Sequence, residues 1–302
     1  MTGMMDRSLL TPLCDCTCTV VAHTAVSPSL RVLHLKPVAN HRGEAVHQFV
    51  SGAGQFVMLD VGDGFQDSVF QRFRRPMSVY RCHDDGTFEI FYKIHGEGTR
   101  LLAQKLVGSA LRVLGPLGHP FSTVDEHNVL LVGGGIGIAP LVGWLEQACE
   151  STRQQAQLVY GVRTAEEVGI ASHLDALLNT WALCTDDGSA GMQGTVVDWL
   201  NTYQPKPSAV LVCGPWGMMV AVSQWFAAHH PQVPVWTSLE ERMPCGTGAC
   251  TGCVVFRKEP DGSLASWPSK ICLEGPVFRA DTIEWNRSQP LVSACSVQGA
   301  CE

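Results

Sequence analysis

The sequence predicts a multidomain chain: an antiparallel β-barrel over residues 1–124, an α/β domain with a parallel sheet over 125–228, and a small β-rich domain over 229–302. Three observations predict it. The first third breaks into short, partly alternating apolar segments separated by Gly, Asp or Pro. The middle third changes to strand, glycine loop and helix in succession. The last quarter carries the run Cys245-Gly246-Thr247-Gly248-Ala249-Cys250-Thr251-Gly252-Cys253. At 302 residues the chain has room for two or three domains and a sizeable core.

In the barrel, Leu30–Leu35, Gly54–Val61, Phe88–Lys93 and Ala110–Leu114 read as strands. Between them lies Arg72-Phe73-Arg74-Arg75-Pro76-Met77-Ser78-Val79-Tyr80. Arg75 stands three residues ahead of Ser78, across a proline that fixes extended backbone. Its guanidinium can meet a diphosphate while the serine reaches a flavin ring. Gly96-Glu97-Gly98-Thr99 then leads into the helical-looking Arg100–Leu106, a glycine turn whose free N–H groups suit a phosphate. Alone, these motifs read as a surface arginine and an ordinary helix cap; in order within one barrel they favour a flavin dinucleotide. Tyr92 and Lys93, ending the Phe88–Lys93 strand, join the candidate cofactor residues. Cys14, Cys16 and Cys18 alternate on one strand face and read as small buried side chains, not a second metal site.

In the α/β part, Val129–Val132 is an apolar strand, followed by Gly133-Gly134-Gly135-Ile136-Gly137-Ile138-Ala139-Pro140 and the apolar helix Leu141–Ala148. Strand, glycine loop and helix are the context a dinucleotide pyrophosphate needs. Pro140 replaces the last glycine of the usual pattern and suits a first helical turn. No acidic residue follows about 20 positions on in the usual way, so the ribose contact stays open. Leu158–Tyr160 and Ala209–Cys213 read as further parallel strands, the second ending in Cys213-Gly214-Pro215. Cys213 is either a side chain against a nicotinamide or a buried core thiol.

Cys245, Cys250 and Cys253 follow the C-x4-C-x2-C order of plant-type [2Fe–2S] sites, with glycines that let the backbone fold round a cluster. Cys272, Cys295 and Cys301 are candidates for the fourth ligand. Cys272 is preferred, because Ile271–Pro276 reads as a short apolar strand ending in a turn, whereas the tail is prone to fray. Zinc is the alternative, but no second pair of cysteine knuckles follows.

The formal charge of −7 and the charged fraction of 16% argue against a nucleic-acid surface or a basic membrane patch. The most apolar window, Val129 to Leu145, holds five glycines and Pro140 and does not read as a membrane span. Asp6 and Arg7 precede only a short apolar stretch, so no secretory signal is expected. Thirteen cysteines without export point to a reduced, cytoplasmic chain.

Arg75-Pro76-Met77-Ser78, Gly96-Glu97-Gly98-Thr99, Gly133 to Pro140 and Cys213-Gly214-Pro215 follow one another as in the ferredoxin-NADP reductase family, which the chain resembles. Ser238-Leu239-Glu240-Glu241-Arg242-Met243-Pro244-Cys245 through Cys253, then Cys272 before Gly275-Pro276-Val277-Phe278, resemble the electron-transfer subunits of class 1B dihydroorotate dehydrogenases. The resemblance covers roughly residues 17 to 285; the interval from Cys253 to Cys272 is long for that family, and the tail adds cysteines. It implies FAD, NAD and a [2Fe–2S] cluster, and an FMN-containing dihydroorotate dehydrogenase catalytic subunit as partner in a heterotetramer. It also implies electrons passing from dihydroorotate through that FMN, the cluster and FAD to NAD. A flavin is required in any such chain, because nicotinamide moves electrons in pairs and a cluster singly. Neither a general acid nor a base is required, and His95 and His119 read as turn and surface residues. Reductases serving an oxygenase, a glutamate synthase or a hydrogenase share these modules. Residues 229–302 leave little room for a full plant-type ferredoxin, and the related transhydrogenase subunit resembles this chain with aspartate in place of Cys245.

Overall fold

The computed structural model describes residues 13–46, 49, 51–62, 74–121 and 127–288. Arg72, Phe73, Cys295 and Cys301 lie outside the described residues.

The first seven strands are β1 (Cys14–Ala25), β2 (Leu30–Asn40), β3 (Phe56–Leu59), β4 (Arg75–Ser78), β5 (Arg81–Cys82), β6 (Phe88–Lys93) and β7 (Ala110–Leu117). They form one antiparallel sheet in the order β4-β3-β7-β1-β2-β6-β5. The sheet is curled, with β4 and β5 as its edges. Alternation builds its core: Cys16, Cys18 and Val20 point inward from β1, and Phe88, Ile90 and Tyr92 from β6. Cys16 and Cys18 are buried, their sulfurs 3.7 Å apart. Helix α1 (Glu97–Ala103) follows β6.

The second sheet contains β8 (Val129–Gly134), β9 (Gln157–Val162), β10 (Ala182–Thr185), β11 (Met192–Gln193), β12 (Ala209–Cys213) and β13 (Val235–Ser238). Helices α2 (Ile138–Gln147), α3 (Glu150–Gln155), α4 (Ala171–Leu177), α5 (Val196–Tyr203) and α6 (Trp216–His229) connect them. Every residue of β8 and β12 is buried, as strands covered on both faces must be. The pairings from β11 to β13 are parallel. Residues beyond 228 complete this sheet: β13 pairs with β12, and β16 (Val277–Arg279) adds antiparallel to β13. The cut at residue 228 thus separates sequence motifs that one hydrogen-bonded sheet unites.

The cysteine-bearing part has little regular structure of its own: β14 (Val254–Val255) pairs with β15 (Ser269–Lys270), and α7 (Ile271–Glu274) follows. The expected strand at Cys272 is therefore one helical turn. Glu274 closes it from below, accepting the Ser269 hydroxyl at 2.7 Å and the Lys270 N–H at 2.9 Å. A four-residue apolar run does not distinguish strand from helix by periodicity. The long interval after Cys253 is a hairpin-like excursion, with Lys258 bridged to Leu264 and the Gly262 N–H on the Glu259 carbonyl at 2.9 Å. Its ends stay together as β14 and β15. One apolar cluster joins all three parts, running from Phe56 and Met58 through Val132 and Val212 to Cys253, Ile271 and Cys272. Among the described residues no helix is long and apolar enough to cross a membrane.

Candidate functional site

The strand order β10-β9-β8-β12-β13 changes direction between β8 and β12, where an open parallel sheet forms its ligand crevice. Both glycine motifs end there. A Cβ on Gly214 would lie 2.8 Å from the Cα of Gly134, so the two strand ends meet glycine on glycine. One on Gly133 would lie 2.7 Å from Ile138 Cδ1, and one on Gly137 2.6 Å from the Cys213 carbonyl carbon. Gly137 therefore serves the approach of α2 to β12, not an open loop face. Gly135 differs: its φ is +52° and the space beside it is open. The Tyr160 hydroxyl donates to its carbonyl at 3.0 Å. Pro140 is buried in the first turn of α2, where no backbone donor is missed.

Gly134, Gly135, Lys93, Arg163, Pro215 and Glu240 line part of a cavity of about 740 Å³ at this edge. Lys93 pairs with Glu167 at 2.8 Å on one wall of it. Tyr92 points the other way, as alternation along β6 demands: it is 1% exposed in the barrel core, its hydroxyl on His23 Nε2 at 2.8 Å. Lys93 thus lies at the cavity and Tyr92 in the barrel core, on opposite faces of β6. Cys213 is fully buried, its sulfur 4.0 Å from Glu240 Oε1, and burial holds its thiol well above the ordinary range. Glu240 lines the cavity and Cys213 lies behind it. Surrounding protein pushes the Glu240 carboxyl up to about 7 although the cavity leaves it accessible.

Arg75, Pro76, Met77 and Ser78 form edge strand β4, with Ser78 opposite Phe56 and Pro76 opposite Met58. A Cβ on Gly98 would collide with the Arg75 guanidinium. The two motifs read separately in the sequence thus close on one another, a cationic fork over the glycine turn that opens α1. Thr99 is spent locally: its hydroxyl accepts the His95 N–H at 2.6 Å and donates to the Gly96 carbonyl at 3.2 Å. His95 and His119 are exposed.

The cysteine loop brings its sulfurs together. Cys245 and Cys250 sulfurs stand 3.3 Å apart, and the Cys250 N–H donates to Cys245 at 3.4 Å. Burial raises the Cys245 pKa, but N–H groups of Cys250, Thr247 and Ala249 and the Cys250 thiol outweigh it and hold it at about 6. Cys253 and Cys272 are buried, at 0% and 2% exposure. Burial, then the bond to Cys253, push the Cys272 thiol up to about 12, and the Gly248 N–H also reaches it. The Ile271 N–H donates to the Cys253 carbonyl at 2.7 Å, tying α7 to the loop. Gly246, at φ +70°, lets the loop touch the barrel: a Cβ there would lie 2.6 Å from Met58 Cγ.

The sequence reading missed a clamp between barrel and α/β part. The Tyr80 hydroxyl bonds His173 Nδ1, His173 Nε2 lies 2.7 Å from Glu146, and Arg81 Nε lies 2.8 Å from the same carboxylate. It also missed Glu240, whose only sequence signal was its place in the Ser238–Cys245 run.

The family model for the iron–sulfur cluster binding domain of dihydroorotate dehydrogenase B matches residues 240–284, and that for the oxidoreductase NAD-binding domain matches 131–224. The dihydroorotate dehydrogenase B (NAD(+)) electron transfer subunit of Listeria monocytogenes is 37% identical over 236 residues, covering 76% of this chain and 86% of that protein. Its counterpart in Streptococcus pneumoniae is 36% identical over 284 residues, 88% of this chain and 97% of that one. The chain belongs to this family of electron-transfer subunits. Among solved structures, an NADH-dependent reduced ferredoxin-NADP oxidoreductase superposes with a TM-score of 0.73 at 27% identity, covering 92% of each chain. The two matched models thus name an NAD-binding domain, over the residues that form the crevice, and an iron–sulfur cluster binding domain, over the cysteine loop.

Proposed function

We propose that the chain carries electrons between NAD and the FMN of a dihydroorotate dehydrogenase catalytic subunit, in a cytoplasmic heterotetramer, with net flow from dihydroorotate to NAD in pyrimidine biosynthesis. FAD, a [2Fe–2S] cluster and NAD are its cofactors, and the zinc reading of the cysteines falls away. The observation that carries the reading is the contact of Gly246 with Met58, whose cross-strand partner is Pro76. It brings the cysteine loop against the back of the strand pair that holds the flavin motif.

Each site fits its group. Cys245, Cys250, Cys253 and Cys272 supply four thiolates; Arg75 and Gly98 supply a fork and a turn for a diphosphate, with Pro76, Met77, Ser78 and Thr99 beside them. Gly133, Gly134, Gly135, Gly137, Pro140, Gly214 and Pro215 shape the crevice for NAD. Bound FAD supplies the exchange between hydride transfer and single-electron steps. The residues around it orient and shield. Tyr160 fixes the glycine loop through Gly135, Lys93 and Glu167 hold one wall of the cavity, and the Tyr80–His173–Glu146–Arg81 clamp fixes the barrel against α2.

Co-expression with the catalytic subunit tests the proposal. The expected result is a brown complex that forms NADH from dihydroorotate and NAD. A chain that stays apart from that subunit, or a complex that oxidises dihydroorotate without reducing NAD, would overturn it.

A further inference from the structure

On the face of β6 that also carries Lys93, four residues back along the strand, His34, His83 and Glu89 turn one donor atom each toward a common point, all within 4.8 Å of one another. Neighbouring strands set them there. His34 on β2 lies directly opposite Glu89 on β6, and His83 follows β5, whose Arg81 is also opposite Glu89. The turn holding His83 is closed by its own N–H on the Thr87 carbonyl at 2.9 Å and the Gly86 N–H on the His83 carbonyl at 3.0 Å. The two imidazoles stand 4.9 Å apart, and all three side chains are at most 27% exposed.

Proton bookkeeping fixes what His34 presents. The one hydroxyl proton of Thr87 goes to Asp85 Oδ1 at 2.6 Å, so its oxygen accepts from His34 Nε2 at 2.6 Å. The Nδ1 lone pair then faces Glu89 Oε1 at 4.0 Å, two acceptors with no hydrogen bond between them. His83 Nε2 lies 3.1 Å from the same oxygen. A ligating histidine whose other nitrogen donates into a carboxylate-backed relay is the outer-shell arrangement that metal sites use. Arg81 does not fill the gap. Its Nε is held by Glu146 at 2.8 Å, and it approaches Glu89 at the other oxygen, 3.9 Å away.

We propose that His34, His83 and Glu89 form a binding site for a first-row divalent transition-metal ion of the zinc class. Two imidazoles and one carboxylate suit zinc, cobalt, nickel or copper and not magnesium or calcium, and a water completes four-coordination. Donors at tetrahedral zinc stand roughly 3.3–3.5 Å apart, so His34 Nδ1 closes on Glu89 by about half an ångström and His83 moves its proton to Nδ1. This site is independent of the electron-transfer proposal and stands if that proposal fails.

The test uses full-length protein loaded with flavin and cluster, titrated anaerobically with zinc ion by calorimetry. The expected result is one saturable site whose Kd rises at least tenfold in His34→Gln and in Glu89→Gln. Flavin and cluster absorption unchanged throughout shows that neither the fold nor the cysteine ligands are disturbed. His83→Gln, in the more exposed turn, gives the same loss if a sheet variant fails to fold. Zinc-edge anomalous scattering from soaked crystals should peak within about 2.0–2.2 Å of His34 Nδ1, His83 Nε2 and a Glu89 oxygen. Absence of saturable binding, equal affinity in these variants, or a peak only at cysteines would overturn the site.

Discussion

The nucleotide crevice is built from backbone and the cysteine loop from side chains. At the crevice, Gly134 meets Gly214 and Gly137 meets Cys213 with no room for a Cβ, and two buried strands hold the arrangement. At the cysteine loop the described residues offer a two-residue ladder and one helical turn, with N–H groups on the Cys245 and Cys272 sulfurs and a core shared with both neighbours around Cys253 and Cys272. The crevice is therefore complete before any ligand arrives. The loop depends on its thiols, and metal binding there contributes directly to its order. Substitution should expose the difference: loss of a thiol abolishes one cofactor and spares the rest, whereas an added methyl group in the crevice distorts the fold around it.

The largest effect is expected at Cys272. Cys272→Ser removes the proposed fourth ligand, buried on an ordered turn, so the electron paramagnetic resonance signal of the reduced cluster should fall to near zero while FAD stays bound and NADH still reduces it. Cys295→Ser and Cys301→Ser should leave the spectrum unchanged. A tail variant that loses the signal while Cys272→Ser keeps it would reassign the ligand and blur the contrast, since the tail would then act as a scaffold.

Gly137→Val comes next. Its side chain would meet the backbone of Cys213 and Gly214, which cannot rotate away as a side chain would. Overpacking of this kind costs roughly 1–3 kcal/mol, and at the upper end reduction of FAD by NADH slows about a hundredfold. Rapid mixing and a thermal melt should change together. Gly135→Ala sharpens the point: the space beside it is open, but φ is +52°, so only about 1–2 kcal/mol of left-handed strain is expected. A normal melt with slow reduction in Gly137→Val would mean that this glycine touches the nucleotide and not β12.

Arg75→Ala tests a third kind of site, half side chain and half backbone. Removing a charge-assisted contact worth about 1.5–3 kcal/mol should weaken FAD at least tenfold. Ser78→Ala should retain most FAD. Full flavin occupancy after purification of Arg75→Ala would leave the Gly98 turn as the sole anchor.

How much of this was legible beforehand follows the same division. Backbone sites leave glycines at fixed offsets from apolar strands, so the crevice, the strands Phe88–Lys93 and Ala209–Cys213 and the cysteine spacing could all be read directly. Contacts between distant segments leave no such mark. Nothing in the sequence places Gly246 on Met58, Arg75 over Gly98, or Tyr80 beside His173, since each is created by how the sheets pack. The turn at Cys272 leaves no period to read, because its helix is set by Glu274 reaching back to Ser269, a side-chain contact. Tyr92 and Lys93 are adjacent in sequence, yet alternation sends them to opposite faces of β6.

The smallest effect is expected at Glu240, where a side chain intrudes on the backbone-built crevice. Desolvation by the protein around the cavity lifts its carboxyl from 4.5 to about 7, although the cavity leaves it accessible, so the folded protein keeps this proton through a range in which the unfolded chain releases it. The stability it contributes is complete below pH 4.5 and is lost as pH rises through about 7. Glu240→Gln has no proton to lose, so the variant should match the parent at low pH and become the more stable of the two above pH 7. NADH binding should follow the same sign. A nucleotide diphosphate entering a cavity with a newly charged carboxylate meets like charge, so affinity in the parent should fall a few-fold as pH rises through 7, and the variant should lose that slope. Parallel pH profiles for the two proteins would mean that Glu240 is already ionised across this range, and that the crevice tolerates its charge through Lys93 and Arg163, the cations on its other walls.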